Sequence, residues 1–453
     1  GDGAANRVIV SQPLTLQSVN GPAFTSIDGG GVSRCVYLTN NAVLNGFTLT
    51  NGSVTGYPLG GAGVCGASNS MVENCLITKS TANNGGACFG ILSNCTITAG
   101  SGYGTVSNIL FNCTISNNGF GGGEYDTFYN CLIISNALGG ASQSTLYNCI
   151  ISNNAAEGGL YGCKATGCLI ISNQATFENM SGATSSSLTN CLLIGNNTTA
   201  NGGGAYISTL VNCTIVNNSA AYYGGGVYGG TLKNCILYYN KSTNYPANNN
   251  YFIPLAMVYC STFPLPSIGF GNFTNTPLFI DTNNNFHLQS TSPCINSGNN
   301  AFISATTDLD GSPRIQGGTV DVGAYEYQTP TSVISYAYLQ KYGLPTDGSV
   351  DYANLDGSGF NVYQKWVAGL NPTNSASVLV MLPVTTTNTV SGITITWQSV
   401  SGINYNLQST TNILVPFSTI QSNIIGNAGT TSFIDTSATN GTPYFYRVGV
   451  QAP

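Results

Sequence analysis

A short repeat, Asn-Cys followed by a residue pair that ends in Ile or Leu, constrains this chain more than any other feature. It reads Asn-Cys-Leu-Ile at 74 and 130, Asn-Cys-Thr-Ile at 94, 112 and 212, Asn-Cys-Ile-Ile at 148, Asn-Cys-Leu-Leu at 190 and Asn-Cys-Ile-Leu at 234, with a Gly-Cys-Leu-Ile variant at 167. Its nine cysteines are Cys75, Cys95, Cys113, Cys131, Cys149, Cys168, Cys191, Cys213 and Cys235, spaced 18 to 23 residues apart. Two positions after each Cys stands Ile or Leu: Ile77, Ile97, Ile115, Ile133, Ile151, Ile170, Leu193, Ile215 and Leu237. Five positions after it, seven copies carry Asn: Asn118, Asn136, Asn154, Asn173, Asn196, Asn218 and Asn240. Gly-rich stretches such as 202–206 and 224–228 separate the copies.

A unit of this length is too short for a strand-helix-strand crossover, which takes about 30 residues. It also lacks the 3.6-residue apolar period of a helix. On a strand, Cys and the aliphatic residue two places on face the same side. The repeat therefore predicts one coil of a parallel β-helix, with short strands and Gly/Asn corners. Cys and Ile/Leu form inward columns. The Asn columns sit at corners, where amides stack between coils and the left-handed backbone is tolerated. About 13 coils at ~4.8 Å each give a rod of roughly 60 Å.

The 15 cysteines are open to two readings. One is a disulfide framework; the other is a column of small buried hydrophobes. Stacked coils hold the Cβ vectors parallel rather than converging, which favours buried thiols in the nine-residue column. No Cys-x-x-Cys pair suggests a metal; Cys163 and Cys168 form only a loose pair. Charged residues make up 6% of the chain, with 10 Lys+Arg and a single His, His287. Without a basic stripe, phosphate recognition and nucleic-acid binding are excluded. No apolar run is long enough for a membrane span. No cofactor is expected.

Several ordered segments then match a known group. Residues 7–31 and 34–52, followed by the Gly-rich and Asn-Cys repeats, resemble secreted bacterial right-handed parallel β-helix repeat proteins with a pectate-lyase-like fold. Residues 292–298 and 308–327 resemble the closing segment of that group, of the choice-of-anchor type. The resemblance covers about residues 1–330 and implies fold and export, but no activity. Members of the group begin with further coils and a cap. Here the chain starts at Gly1, so an uncapped first coil able to pair with another chain is expected.

Three segments follow from this reading: a β-helix with closing segment over 1–330, a helical spacer over 331–376 and an antiparallel β-sandwich over 377–453. The fold class is all-β, a right-handed parallel β-helix followed by that short spacer and small sandwich. Residues 332–344 read as an amphipathic helix. Residues 354–365 have the spacing of a degenerate EF-hand or dockerin-like loop, with Asn354, Asp356 and Ser358 at ligand positions. Lys365 stands where a bidentate carboxylate belongs, so no tight Ca²⁺ is expected; Lys365 is expected to pair with Asp356 or Asp351. Trp397, Tyr405 and Tyr446 are expected in the core or at a corner of the sandwich.

Catalysis on a β-helix needs clustered carboxylates. The acids of residues 1–290 are Asp2, Asp28, Glu73, Glu124, Asp126, Glu157, Glu178 and Asp281. Glu124 and Asp126 are the best local pair, expected on one side of a strand. Asp308, Asp310, Arg314, Asp321 and Glu326 form the densest charge cluster, read as a network closing the β-helix. Arg7 and Arg34 are expected on the outer face. The function expected is an extracellular or cell-surface structural rod, its partner a further copy of itself, assembling into a filament or layer. A surface-glycan adhesin is the alternative, and a polysaccharide lyase or hydrolase a third reading.

Overall fold

The computed structural model describes residues 4–55, 60–82, 84–384, 392–438 and 443–451. Gly1 and Asp2, at the expected bare end of the β-helix, lie outside them. The chain divides into two compact units: residues 1–256 with 307–312, and residues 257–306 with 313–453. The closing segment is thus shared between the units, and the spacer and sandwich belong to the second.

The first unit is a parallel β-solenoid, part of about eleven turns in all. In a typical coil, Gly139–Ser142, Thr145–Tyr147 and Ile150–Ser152 form three short strands. Single residues in the left-handed region break them, here Gln143 at φ 48° and Asn148 at φ 52°. Each strand pairs in parallel with its counterparts in the coils before and after. Along the third face the aliphatic column is in register, Ile77 with Ile97, then Ile115, Ile133, Ile151, Ile170, Leu193, Ile215 and Leu237. All nine are buried. Burying each stabilises the coil by roughly 1.5–3 kcal/mol relative to exposure.

The Asn preceding each Cys turns the second strand into the third. Asn74, Asn94, Asn112, Asn130, Asn148, Asn190, Asn212 and Asn234 have φ of 50–52°, and Gly167 has 66°. Asn and Gly are the residues that enter this region at least cost, which explains why the variant copy carries Gly. The Gly-rich stretch has a different cause. A Cβ on Gly122 would lie 2.5 Å from the Ile133 side chain and 3.0 Å from the Asn136 amide. One on Gly140 would meet Ile151 at 2.6 Å and Asn154 at 3.1 Å. Gly122 and Gly140 are glycine because their backbone packs directly on the Ile and Asn columns.

Arg34 is not on the outer face. It is fully buried, donating from Nε to the Gly61 carbonyl at 3.0 Å and from its guanidinium to Gly60 and Asn6 at 2.9 Å. Backbone carbonyls left open by the adjacent loop take the place of solvent. Arg7 is exposed.

In the second unit, the spacer forms two helices, Tyr336–Lys341 and Val362–Val367. Ser335 caps the first; Asn361 and Gln364 form a capping box on the second. The first is shorter than the sequence suggests because Gly343, at φ 66°, and Pro345 stop it. The sandwich pairs Ile393–Ser399 with Gly429–Asp435, and sets Asn404–Thr410 between Ser418–Ile425 and Phe445–Val450. Ile395, Trp397, Tyr405 and Leu407 form its core. Tyr405 accepts from the Val400 amide at 3.0 Å, and Tyr446 donates to Asp435 at 2.9 Å.

Candidate functional site

The interior of the solenoid is a set of ladders. Each ladder Asn donates its side-chain amide to the side-chain carbonyl of the next: Asn118 to Asn136, then Asn154, Asn173, Asn196, Asn218 and Asn240, every step at 3.0 Å. The same carbonyl accepts the backbone N–H of the preceding Asn, as from Asn136 to Asn154 at 3.0 Å. The second amide hydrogen reaches a backbone carbonyl one coil earlier, as from Asn154 to Ile133 at 3.0 Å. Every donor and acceptor of these buried side chains is used, which is what a dry polar core requires. The ladder runs one step further than the sequence spacing shows. Asn240 donates to Asn250 at 3.1 Å, only ten residues on, because Asn250 stands just before the first strand of the next coil, in register with Gly226.

The cysteine column is a row of thiols facing backbone. The Cys113 amide donates to the Cys131 sulfur and the Cys131 amide to the Cys149 sulfur, each at 3.4 Å. All 15 cysteines are buried. Burial pushes the Cys168, Cys191 and Cys213 thiols well above their ordinary range, away from reactive thiolate. Cys65 and Cys88, in register on neighbouring strands, bring their sulfurs to 2.8 Å.

Glu124 and Asp126 do not share a side. Tyr125 stands between them at φ 57°, and this turn cancels the strand alternation that the sequence reading assumed. Glu124 stays half-buried at the surface while Asp126 is fully inside. There Asp126 accepts from the Asn108 amide at 2.6 Å and the Thr105 hydroxyl at 2.8 Å. Burial pushes its carboxyl up to about 7 against these bonds. It belongs to a polar inner column missed in the sequence, in which Asp126 N–H donates to Ser144, Cys163 N–H to Ser186 and Ser186 N–H to Ser208, at 3.0–3.1 Å.

The surface partner of Glu124 is Glu157 instead. The Tyr103 ring lies over Gly121, and Glu157 over Gly139, the register neighbour of Gly121. Burial raises Glu157, and the charge of Glu124 raises it further. Burial, then the charges of Glu124 and Glu157, push the Tyr103 hydroxyl up to about 12. Tyr103 and Glu157 lie on a glycine floor, and the charge of Glu124 acts on both. Unequal coil lengths hid this in the sequence, where the two acids sit at different offsets from their cysteines.

In the degenerate loop, Lys365 pairs with Asp356 and donates to the Asn374 carbonyl at 2.9 Å. The ammonium holds the Asp356 carboxyl down at about 2. Asn354 stays exposed, and Ser358 donates its backbone N–H to Asp356 at 3.0 Å. Asp351 instead accepts from Ser332 at 2.7 Å and the Val333 amide at 3.0 Å.

The five-residue charge cluster is divided between the units. In the first, Asp308 closes a turn by accepting from the Asp310 and Ser312 amides at 3.0 and 2.9 Å. In the second, Asp321 accepts from Asn296 and Tyr327 amides, both at 2.7 Å, and Glu326 from Gln316 and Asp321 amides at 3.0 and 2.9 Å. The Arg314 guanidinium donates to the Gly323 carbonyl. These side chains pin backbone. Desolvation raises Glu326 to about 9. His287 stacks at 4.2 Å on Tyr325.

On the outer surface of the first unit, an apolar stripe flanks the Asn corner. Phe111, Tyr129 and Tyr147 stack in register, ring centroids 4.9 and 5.0 Å apart. Beyond the corner, Leu132, Ile150 and Leu169 form a second outward row in register. Phe111, Tyr147 and Ile150 are 37–39% exposed.

No family model matches the chain, and no curated protein matches it. Among solved structures, the pectate lyase Pel9A is similar at 13% identity and a TM-score of 0.34, over 71% of this chain and 88% of its own. The A-modules of the Azotobacter vinelandii mannuronan C-5 epimerases AlgE4 and AlgE6 are similar at 12% identity. Their TM-scores are 0.22 and 0.21, over 59% and 61% of this chain and 91% and 92% of theirs. At these values the likenesses carry nothing about activity, and the fold rests on the strand registers above.

Proposed function

We propose that this chain is an extracellular structural rod that associates side by side with further copies of itself into a filament or layer. One observation carries the reading: the outward stripe of Phe111, Tyr129 and Tyr147 beside Leu132, Ile150 and Leu169. In the coil segments 108–116, 126–134, 144–152 and 163–171 the charged residues are Asp126, which is buried, and Lys164, exposed in the last of them. Flat sheet faces pack on one another at about 10 Å. Charged side chains on such surfaces normally prevent this, and the three coils that carry Phe111, Tyr129 and Tyr147 expose none in these segments. A second copy of the chain is therefore the occupant the stripe suits. The test is light scattering and electron microscopy of the full chain across a concentration series, beside a Tyr129→Lys, Ile150→Lys variant. Both substitutions point outward, so the coil is retained. Assembly of the parent and a monomeric variant are expected. A parent that stays monomeric, or a variant that assembles equally well, overturns the reading.

A second reading, processing of a polysaccharide, is favoured by the patch of Tyr103, Glu124 and Glu157. Release of unsaturated or reducing sugars that Glu124→Gln and Glu157→Gln abolish would support it.

A further inference from the structure

We infer that the second unit carries a binding site for a short oligosaccharide, bearing at most one carboxylate, in a cleft between the closing segment, the first spacer helix and the sandwich. This goes beyond the structural role proposed above and does not depend on it. The cleft has a volume of about 630 Å³, within the range of small-ligand sites.

Its lining combines two chemistries. Tyr259, just after the strand Ala256–Val258, and Tyr338 and Trp366, from the two helices, supply aromatic surface. Asn404, Asn423 and Gln451 supply amides from the sandwich. Sugar rings have apolar C–H faces and a rim of hydroxyls, and this pairing of rings with amides answers both. Lys341 is the single charged side chain on the lining. It sets the limit of one carboxylate and excludes a polyanion. The amides disfavour a purely apolar ligand, which would leave them desolvated and unpaired.

The rings are held before any ligand arrives. The Tyr338 hydroxyl donates to the Leu370 carbonyl at 2.8 Å. Trp366 stands edge-to-face with Tyr363 at 5.5 Å. Tyr259 packs on Gly271, where a Cβ would lie 2.8 Å from the ring. Rigid aromatics lose little entropy on binding, so the cleft is preorganised.

The chain has two tryptophans, and the other, Trp397, is fully buried in the sandwich core. Fluorescence therefore reports on the cleft through Trp366 against a constant background. The experiment titrates the full chain with cellotriose, xylotriose and chitotriose, and with trigalacturonate as the excluded polyanion, by fluorescence and by calorimetry. Saturable binding of at least one is expected. Trp366→Ala should weaken it by about tenfold, the worth of one good stacking contact. Trp366 also packs against the helices, so a second variant is needed. Ser401→Trp, at an exposed rim position, fills the cleft without removing a packed side chain and should abolish binding. No binding of any of the three uncharged sugars, binding of trigalacturonate as tight as theirs, or binding that Ser401→Trp leaves intact, overturns the assignment.

Discussion

Replacing Asp126 by Asn should stabilise the solenoid at alkaline pH and remove a pH dependence. Asp126 is buried, and its carboxyl titrates at about 7 in the fold against 3.8 in the unfolded chain. Below 3.8 both states hold the proton. Between 3.8 and about 7 the unfolded chain releases it while the folded chain keeps it, so stability falls as pH rises, and it levels off above about 7. That difference in affinity corresponds to about 4 kcal/mol. The amide of Asn keeps the acceptor facing the Asn108 N–H and offers a donor to the Thr105 hydroxyl, which turns to accept. The variant should therefore lie within about 1 kcal/mol of the parent at pH 4 and be about 4 kcal/mol more stable at pH 9. Solenoids open locally, so hydrogen exchange over residues 105–129 is the direct assay, with urea unfolding by far-UV circular dichroism beside it. Parallel pH profiles for parent and variant would show that the carboxylate ionises inside the coil without cost, and would refute the reasoning.

Four further outcomes follow from the same geometry. Asn154→Leu leaves the Asn136 amide groups and the Asn173 carbonyl without their partner, and should cost on the order of 4 kcal/mol by urea unfolding, more than any exposed Asn→Leu change. Asn148→Gly should be nearly neutral and Asn148→Ala should cost about 1 kcal/mol in the same assay, because φ there is 52°. In native reduced protein, a thiol reagent should find no rapidly reacting cysteine among the 15; mild oxidation followed by denaturation should leave 15 − 2 = 13, with Cys65 and Cys88 joined on peptide mapping. Lys365→Glu should lower the melting temperature in chelator and recover it in millimolar Ca²⁺, since it removes the ion pair with Asp356 and restores a carboxylate at the loop's last position.

The ladders were legible because a solenoid writes each inward position once per coil. A column such as Ile115, Ile133 and Ile151 needs no tertiary knowledge to find. Asn250 escaped because it sits at the start of a coil, in register with Gly226, and not at the corner that the other ladder residues occupy. Asp126 was misplaced for a local reason: alternation holds only within a strand, and Tyr125 turns the chain inside the motif. Arg34 was misplaced because nothing in its surroundings in sequence announces the loop carbonyls of Gly60 and Gly61 that receive it. The pairing of Glu124 with Glu157 depends on coil lengths summed over two turns. The cleft of the second unit gathers residues from 259 to 451, and no spacing rule connects them.

The Asn and Cys ladders also make length a free variable of this molecule. Between Cys95 and Cys149 every coil is 18 residues, and each column advances by one step per coil. Excising or duplicating one such coil moves everything beyond it by a single step along the axis and leaves every hydrogen bond of the Asn ladder with an equivalent partner. Unequal exchange between repeats in the gene would thus lengthen or shorten the protein in whole turns, without passing through a misfolded intermediate form.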